Sequence, residues 1–315
     1  MRKKVIIDCD PGIDDSMAIM LAIQSEELEI LGITIVSGNA PVEMGFENAK
    51  KVLKQMNRLD IPVFTGARRP LVKAYVDALD THGIDGLGES FLESVDGYHQ
   101  NQSAVEFLSD TLRKQPCTVI AIGPMTNLAN LIEYDKQAFL QIEQLISMGG
   151  AFKEQGNCSP VAEYNYWEDP EAAALVYHTM AEHHKKIHMV DLDVTRQIIL
   201  KPEMLDEMEQ INPEQGSFLR KITKYYFQFH WEWEHLRGCV INDPLAVAYC
   251  IDPSLCSGME AFVDIETQSL SRGQSIVDAY GYYRKPANAV VLTKVDTERF
   301  FTFFIDRVLR KKEVA

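Results

Sequence analysis

The sequence predicts an α/β fold: a single domain over residues 1–315 with a mostly parallel, Rossmann-like central sheet, helices on both faces, and an active site at the C-terminal ends of the strands. Three observations predict it. Short apolar runs alternate with helix-period segments from the first residues onward, the rhythm of βαβ units. Several runs are apolar almost without break, such as Val119-Ile120-Ala121-Ile122, as strands buried on both faces are. Glycine and polar residues gather immediately after the runs, where open α/β sheets bind their ligands.

In chain order, residues 4–8 read as the first strand and 14–25 as a helix, followed by a strand at 30–36, a helix at 42–56 and a strand at 61–64. Residues 73–102, with Gly83, Gly86, Gly88 and Gly97, form the longest stretch without periodicity and have the length of a lid. The alternation resumes with a helix at 103–114, a strand at 118–122, a helix from 126, a strand at 145–148, a helix from 170 and a strand at 187–192. Helical segments at 213–234 and 244–251, three strand-like runs and an amphipathic helix at 298–310 complete the chain. There is no repeat, low-complexity tract or linker, which favours one domain.

Bulk properties exclude several classes of function. The 31 basic and 46 acidic residues give a net charge of −15 without a Lys/Arg stripe, so nucleic acid is not an expected partner. The N-terminus has a basic flank, but its apolar run ends after Val5-Ile6-Ile7, short of the ~7–15 residues of a secretory core. No run approaches the ~20 apolar residues of a membrane span. A cytoplasmic protein without membrane attachment is expected. The six cysteines (Cys9, Cys117, Cys158, Cys239, Cys250, Cys256) lack zinc spacing and read as free, mostly buried thiols.

The most informative segment is Asp8-Cys9-Asp10-Pro11-Gly12-Ile13-Asp14-Asp15, four carboxylates directly after the first strand. Like charges so close must bind a cation, take up protons or turn apart, and a divalent ion held there can acidify a water. Further polar groups follow later strands: Ser37-Gly38-Asn39, Gly123-Pro124-Met125-Thr126-Asn127, and Met148-Gly149-Gly150 with the segment 156–170. One mouth of the sheet would thus suit a metal and a polyhydroxylated ligand. Asp14 also reads as a first-turn helix carboxylate, and Asn39 and Asn157, beside glycines, as turn residues.

These blocks, with Ala162-Glu163-Tyr164-Asn165, Asp169-Pro170-Glu171-Ala172 and Asp243-Pro244-Leu245-Ala246-Val247, resemble the inosine-uridine preferring nucleoside hydrolase family, which cleaves ribonucleosides to ribose and free base. The resemblance implies one Ca²⁺ per chain, held by Asp10, Asp15, the Thr126 carbonyl and Asp243, an all-oxygen set of the kind calcium prefers. It implies Asp10 as the general base on the attacking water, with inversion at the anomeric carbon. It places Asp14 and Asn165 on the 2′- and 3′-hydroxyls, with Asn39 nearby, and Asn157 and Glu163 towards the 5′-hydroxyl. Asp8 becomes a support for the loop. A small-molecule ribonucleoside is the implied partner, and a homodimer or homotetramer the implied assembly. The lack of a P-loop or Arg cluster suits a neutral nucleoside.

The chain departs from the family at the leaving group. Where many members have histidine before the late metal aspartate, this chain has Asn242, which cannot act as an acid. His82, in Thr81-His82-Gly83-Ile84-Asp85-Gly86, occupies the place of a loop histidine found in pyrimidine-preferring members, and His230, in an aromatic helix, is a third candidate near the base. Tyr164 replaces a more usual phenylalanine at the expected base-stacking surface. His178, His183 and His184 read as surface residues. Two other readings compete. A calcium-dependent nucleoside or ribose sensor would keep the ribose set but has no need of Asp10 as a base. A Mg²⁺-dependent haloacid-dehalogenase-type phosphatase also opens on Asp-x-Asp, but its later motif is missing.

Overall fold

The computed structural model describes residues 2–97 and 101–310. Its elements are β1 (Lys3–Cys9), α1 (Ile13–Gln24), β2 (Leu28–Ile35), α2 (Val42–Gln55), β3 (Val63–Thr65), α3 (Leu79–His82), α4 (Ala104–Lys114), β4 (Cys117–Ala121), α5 (Thr126–Phe139), β5 (Ile142–Met148), α6 (Tyr164–Glu168), α7 (Pro170–Glu182) and β6 (Ile187–Val190). They continue with α8 (Leu192–Thr195), β7 (Ile199–Leu200), α9 (Pro202–Ile211), α10 (Pro213–Glu234), β8 (Cys239–Val240), α11 (Asp243–Ile251), β9 (Cys256–Ile265), β10 (Ser275–Asp278), β11 (Ala289–Val295) and α12 (Thr297–Val308).

The described residues form a nine-stranded sheet in the order β10-β9-β11-β6-β5-β4-β1-β2-β3. The pairings from β3 through β11 are parallel, and β9 and β10 add an antiparallel margin. Neighbouring strand residues serve opposite faces: Val5, Ile7, Ile120 and Ile146 enter one apolar cluster, Ile6, Val119, Ala121 and Leu145 the other. Each such fully buried aliphatic side chain contributes roughly 1.5–3 kcal/mol, which is why these strands read as unbroken apolar runs.

The strand order positions the site. From β1 the chain runs outward through β2 to β3, then returns to place β4 on the other flank of β1. The topology therefore switches direction at the carboxyl ends of β1 and β4, the place where open α/β sheets bind ligands, and the acidic segment leaves β1 at that point. It leads into α1, a helix buried along its whole length, whose first turn carries Asp14 and Asp15.

Several boundaries differ from expectation. β3 begins at Val63 rather than 61, and β6 ends at Val190, with α8 taking up residues expected in the strand. The short helices α3, α6 and α8 span a single turn, too little for periodicity to show. α9 had a signal, with Pro202 at its start and Leu205 and Met208 buried on one face. Part of the long aperiodic interval and the residues just before it are ordered by side chains elsewhere: Glu168 accepts from the Val76 amide at 3.1 Å and pairs with Lys73, and Asp169 accepts from the Leu71 amide at 2.9 Å. Residues 98–100 of that interval lie outside the described residues.

Candidate active site

Asp10 directly follows β1, with its side chain wholly buried. Its Oδ2 accepts from the Asn39 amide at 2.7 Å, while Oδ1 is buried without a hydrogen-bond partner. The carboxyl fits because its two flanks are glycines: a Cβ on Gly38 would stand 2.0 Å from Oδ2, and one on Gly123 2.6 Å from Oδ1. Behind it, Asp8 accepts from Thr34 Oγ1 and from Asn127 Nδ2, the latter at 2.8 Å. Asp8 thus braces the loop from below.

Asp15 is fixed by its own turn. Oδ1 accepts from the Asp10 amide at 3.1 Å, and Oδ2 from the Gly12 amide and Asn39 Nδ2, both at 3.0 Å. One carboxylate oxygen from each of Asp14, Asp15 and Asp243 lies within 4.8 Å of the others. This trio differs by one residue from the set expected from sequence, containing Asp14 where Asp10 was expected, while Asp10 reaches the group through a side-chain contact with Asp15. Thr126, at the start of α5, is also buried, and its hydroxyl donates to Asp169 at 2.7 Å.

The electrostatics follow from this crowding. Burial, then the charge of Asp15, pushes Asp10 well above the usual carboxylate range; burial, then Asp14, does the same to Asp243. Asp15 is raised to about 7 by burial and next by Asp14, and Asp8 to about 7 by burial. Among the described residues, no Lys or Arg donates a hydrogen bond to Asp10, Asp14, Asp15 or Asp243. Four buried carboxyls without a counter-charge, one oxygen of them partnerless, fit a hard divalent cation, and the donors are all oxygen.

Above this floor opens a cavity of about 370 Å³, lined among others by Asp14, Asn39, Asn157, Glu163, Tyr164 and Asn165. Asn165 donates through Nδ2 to the Ile122 and Met148 carbonyls at 3.0 and 3.2 Å. Glu163 caps α6, accepting from the amides of Gly150, Asn165 and Tyr166 at 2.9, 2.8 and 3.2 Å; burial nevertheless raises it to about 7. Asn157 is exposed at the rim and accepts from the Tyr164 amide at 2.9 Å. Tyr164 donates its hydroxyl to the Val76 carbonyl at 2.7 Å, tying α6 to the segment that leads into α3.

The other end of the cavity holds the leaving-group candidates. His82, on α3, is buried, and its Nδ1 accepts from the Ile13 amide at 3.1 Å. That bond requires a lone pair on Nδ1, so the neutral ring carries its proton on Nε2. Burial lowers its pKa in the same sense, with Asp14 opposing. Asn242 donates through its amide and Nδ2 to Asp14 Oδ2 at 3.2 and 3.1 Å, leaving its Oδ1 without a partner. His230 also lines the cavity, but main-chain groups hold both its nitrogens: Nδ1 meets the Tyr226 carbonyl at 2.9 Å, and Nε2 accepts from the Val240 amide at 3.4 Å. It is placed as a packing residue.

Sequence reading missed the wall that α10 builds. Tyr226, Phe229, His230 and Trp233, spaced as one helix face, all line the cavity, and the His82 and Tyr226 ring centroids lie 5.4 Å apart. The spacing was visible in the sequence, but nothing in it indicated which face of α10 meets the site. Gly38 and Gly123, which belong to the polar blocks after the strands, also act by leaving room for Asp10. His178, His183 and His184 are exposed, as expected, and among the cysteines Cys158 is exposed at the cavity rim.

Similarity to known proteins points the same way. The sequence profile described as Inosine-uridine preferring nucleoside hydrolase matches residues 5–302. The chain is 33% identical over 313 residues to the pyrimidine-specific ribonucleoside hydrolase RihA of Escherichia coli O8, covering 98% of this chain and 99% of that one. It is 36% identical over 315 residues to an uncharacterised protein of Schizosaccharomyces pombe, covering 98% and 99%. Among solved structures, a plant nucleoside hydrolase, PpNRh1, superposes with a TM-score of 0.91 at 30% identity, covering 99% of this chain and 100% of that one. A purine-preferring ribonucleoside hydrolase from Gardnerella vaginalis gives 0.90 at 29%, covering 98% of both. The chain belongs to the inosine-uridine preferring nucleoside hydrolase family and is an N-glycosyl hydrolase.

Proposed function

We propose that this enzyme hydrolyses pyrimidine ribonucleosides to ribose and free base, with one resident Ca²⁺, the whole chain 1–315 acting as one unit. The observation that carries the reading is Asp10: a buried carboxylate with one partnerless oxygen, set between two glycines and in side-chain contact with Asp15, whose carboxylate lies beside those of Asp14 and Asp243 that line the cavity. Asp10, Asp15, Asp243 and the Thr126 carbonyl would hold the ion, which supplies acidification of a water at neutral pH.

The remaining roles belong to the chain. Asp10 accepts the proton of the attacking water, and its Oδ1 is the free acceptor for it. Asp14 and Asn39 engage the ribose hydroxyls, with Asn165 offering its side-chain oxygen because its Nδ2 is already used. Glu163 and Asn157 face the 5′ end. These contacts strengthen as the ring flattens towards an oxocarbenium ion. At the base, the Nε2–H of His82 donates a hydrogen bond to the departing pyrimidine, while the Nδ1 bond to Ile13 holds the ring neutral. Support for a pyrimidine base comes from His82 and from the name of the RihA relatives; the purine-preferring structural neighbour makes purines the comparison to run.

Purified enzyme supplied with Ca²⁺ should release base from uridine and cytidine faster than from inosine and guanosine, and chelation should abolish the release. Faster purine turnover would reverse the base assignment. Tight ribonucleoside binding without turnover would favour the sensor, a reading that Asn242 supports by withholding an acid. Family membership leaves no place for the phosphatase. A cytoplasmic dimer or tetramer completes the proposal, with light scattering as its test; no helix among the described residues is long and apolar enough to cross a membrane.

A further inference from the structure

The base end of the cavity contains an ion pair that the reaction above does not use. Arg196, just beyond α8, forks onto Glu234 at the end of α10: Nη1 meets Oε2 at 3.0 Å and Nη2 meets Oε1 at 3.1 Å. Both residues line the cavity, and their side chains are only 25% and 29% exposed. Their neighbours on the wall are largely apolar, Phe229 and Trp233 among them.

Stability explains the pair poorly. A partly exposed ion pair contributes about 0–1 kcal/mol, and drawing two charges into an aromatic wall costs desolvation. Recognition explains it better. The nitrogens of His82 and His230 already hold main-chain amides and carbonyls at Nδ1 of one and at both positions of the other. The Arg196–Glu234 fork still has capacity: each Nη keeps a second N–H, and each carboxylate oxygen keeps a lone pair. The guanidinium Nε is also buried without a partner, a further donor the pair leaves unspent.

We infer that the Arg196–Glu234 pair reads the hydrogen-bonding edge of the base, as a specificity determinant of the hydrolase reaction proposed above, on which this inference rests. A pyrimidine presents adjacent donor and acceptor atoms on the edge opposite the glycosidic bond: N3–H beside O4 in uracil, N3 beside the 4-amino group in cytosine. A guanidinium N–H beside a carboxylate oxygen, held in one order by the fork, matches uracil, whereas cytosine presents the reverse order. Arg196 donates to O4 while Glu234 accepts from N3–H. The pair therefore favours uridine over cytidine and rejects a base whose N3 is blocked. Asp14, Asn39 and Asn165, proposed above for the ribose, line the same cavity as the fork.

The test compares uridine with 3-methyluridine, which lacks N3–H, in the Ca²⁺-loaded enzyme. The expected preference for uridine in kcat/KM is roughly ten- to a hundredfold, the range of one hydrogen bond to a charged group. Glu234→Ala should collapse this ratio to about threefold or less, and Glu234→Gln, which keeps an acceptor oxygen, should retain part of it. Because each ratio is taken on one preparation, partial misfolding cancels. The same ratio is read from Kd by quenching of tryptophan fluorescence. Ribonucleoside binding without turnover would break the proposed reaction while leaving this ratio readable. A wild-type ratio near one, or a ratio unchanged in Glu234→Ala, would overturn the inference itself.

Discussion

The two ends of the cavity are built in opposite ways. The floor is made where strands stop: Asp10 follows β1, Asn39 follows β2, Thr126 opens the helix after β4, and its carboxyls at Asp10 and Asp15 are fully buried. The wall at the base end is made from helix faces, with exposure rising along α10 from 4% at Tyr226 to 72% at Trp233. Sheet termini fix positions tightly, because each strand is held by neighbours on both sides. A helix face graded into solvent can exchange side chains with little effect on the sheet. On the proposed function, the reaction is anchored on the rigid end, and the choice of base falls to the end that tolerates variation.

Removing one floor carboxylate is the severest way to break this division. Asp10→Asn should lower kcat by roughly 10²–10⁴, the usual contribution of a general base. Binding of an iminoribitol-type ribose analogue should weaken far less. A near-normal kcat in that variant would move the base off the floor and undo the comparison. At the wall, His82→Ala should cost roughly tenfold or more on uridine and distinctly less on 4-nitrophenyl riboside, whose leaving group needs little help. Equal losses on both would make His82 a structural clamp for Ile13 and leave the wall without a part in the chemistry.

The contrast also explains what the sequence revealed. The floor was legible because each strand end contributes a short contiguous block, and the spacing within Asp8 to Asp15 survives folding as one turn. Even there, the approach of Asp14 to Asp243 was not legible: it depends on how α1 meets α11, 228 residues apart along the Asp14–Asn242 hydrogen bond. The wall was legible only as composition. Residues 225–231 announced an aromatic helix, but which of its faces meets the site is set by packing against α9, β8 and α3. Arg196 and Glu234 are separated by 38 residues and an intervening helix, and no local pattern links them. His82 stood out by position, yet its tautomer came from a single amide on α1.

Glu163 stands at the ribose end, and its titration decides whether it only accepts hydrogen bonds there or can also donate one. Burial raises the carboxyl from an ordinary 4.5 to about 7, against three backbone amides that favour the charged form. The folded protein then keeps a proton that the unfolded chain releases between those values. The stability contribution of Glu163 is therefore present below about pH 4.5 and lost as pH rises through about 7. Glu163→Gln has no such proton, so wild-type stability should decline relative to the variant across that window and run parallel above it. The decline is roughly 3 kcal/mol at most, since each pKa unit corresponds to about 1.4 kcal/mol. Urea unfolding of both proteins at half-unit steps from pH 4 to 8 measures it, and the slope carries the result because any lost amide bond is a constant offset. Curves parallel throughout would mean that the three amides hold Glu163 charged, as a fixed acceptor on the rigid floor. The expected divergence would instead give the ribose end one carboxyl that is neutral over part of the working range, able to donate to an oxygen where the others only accept.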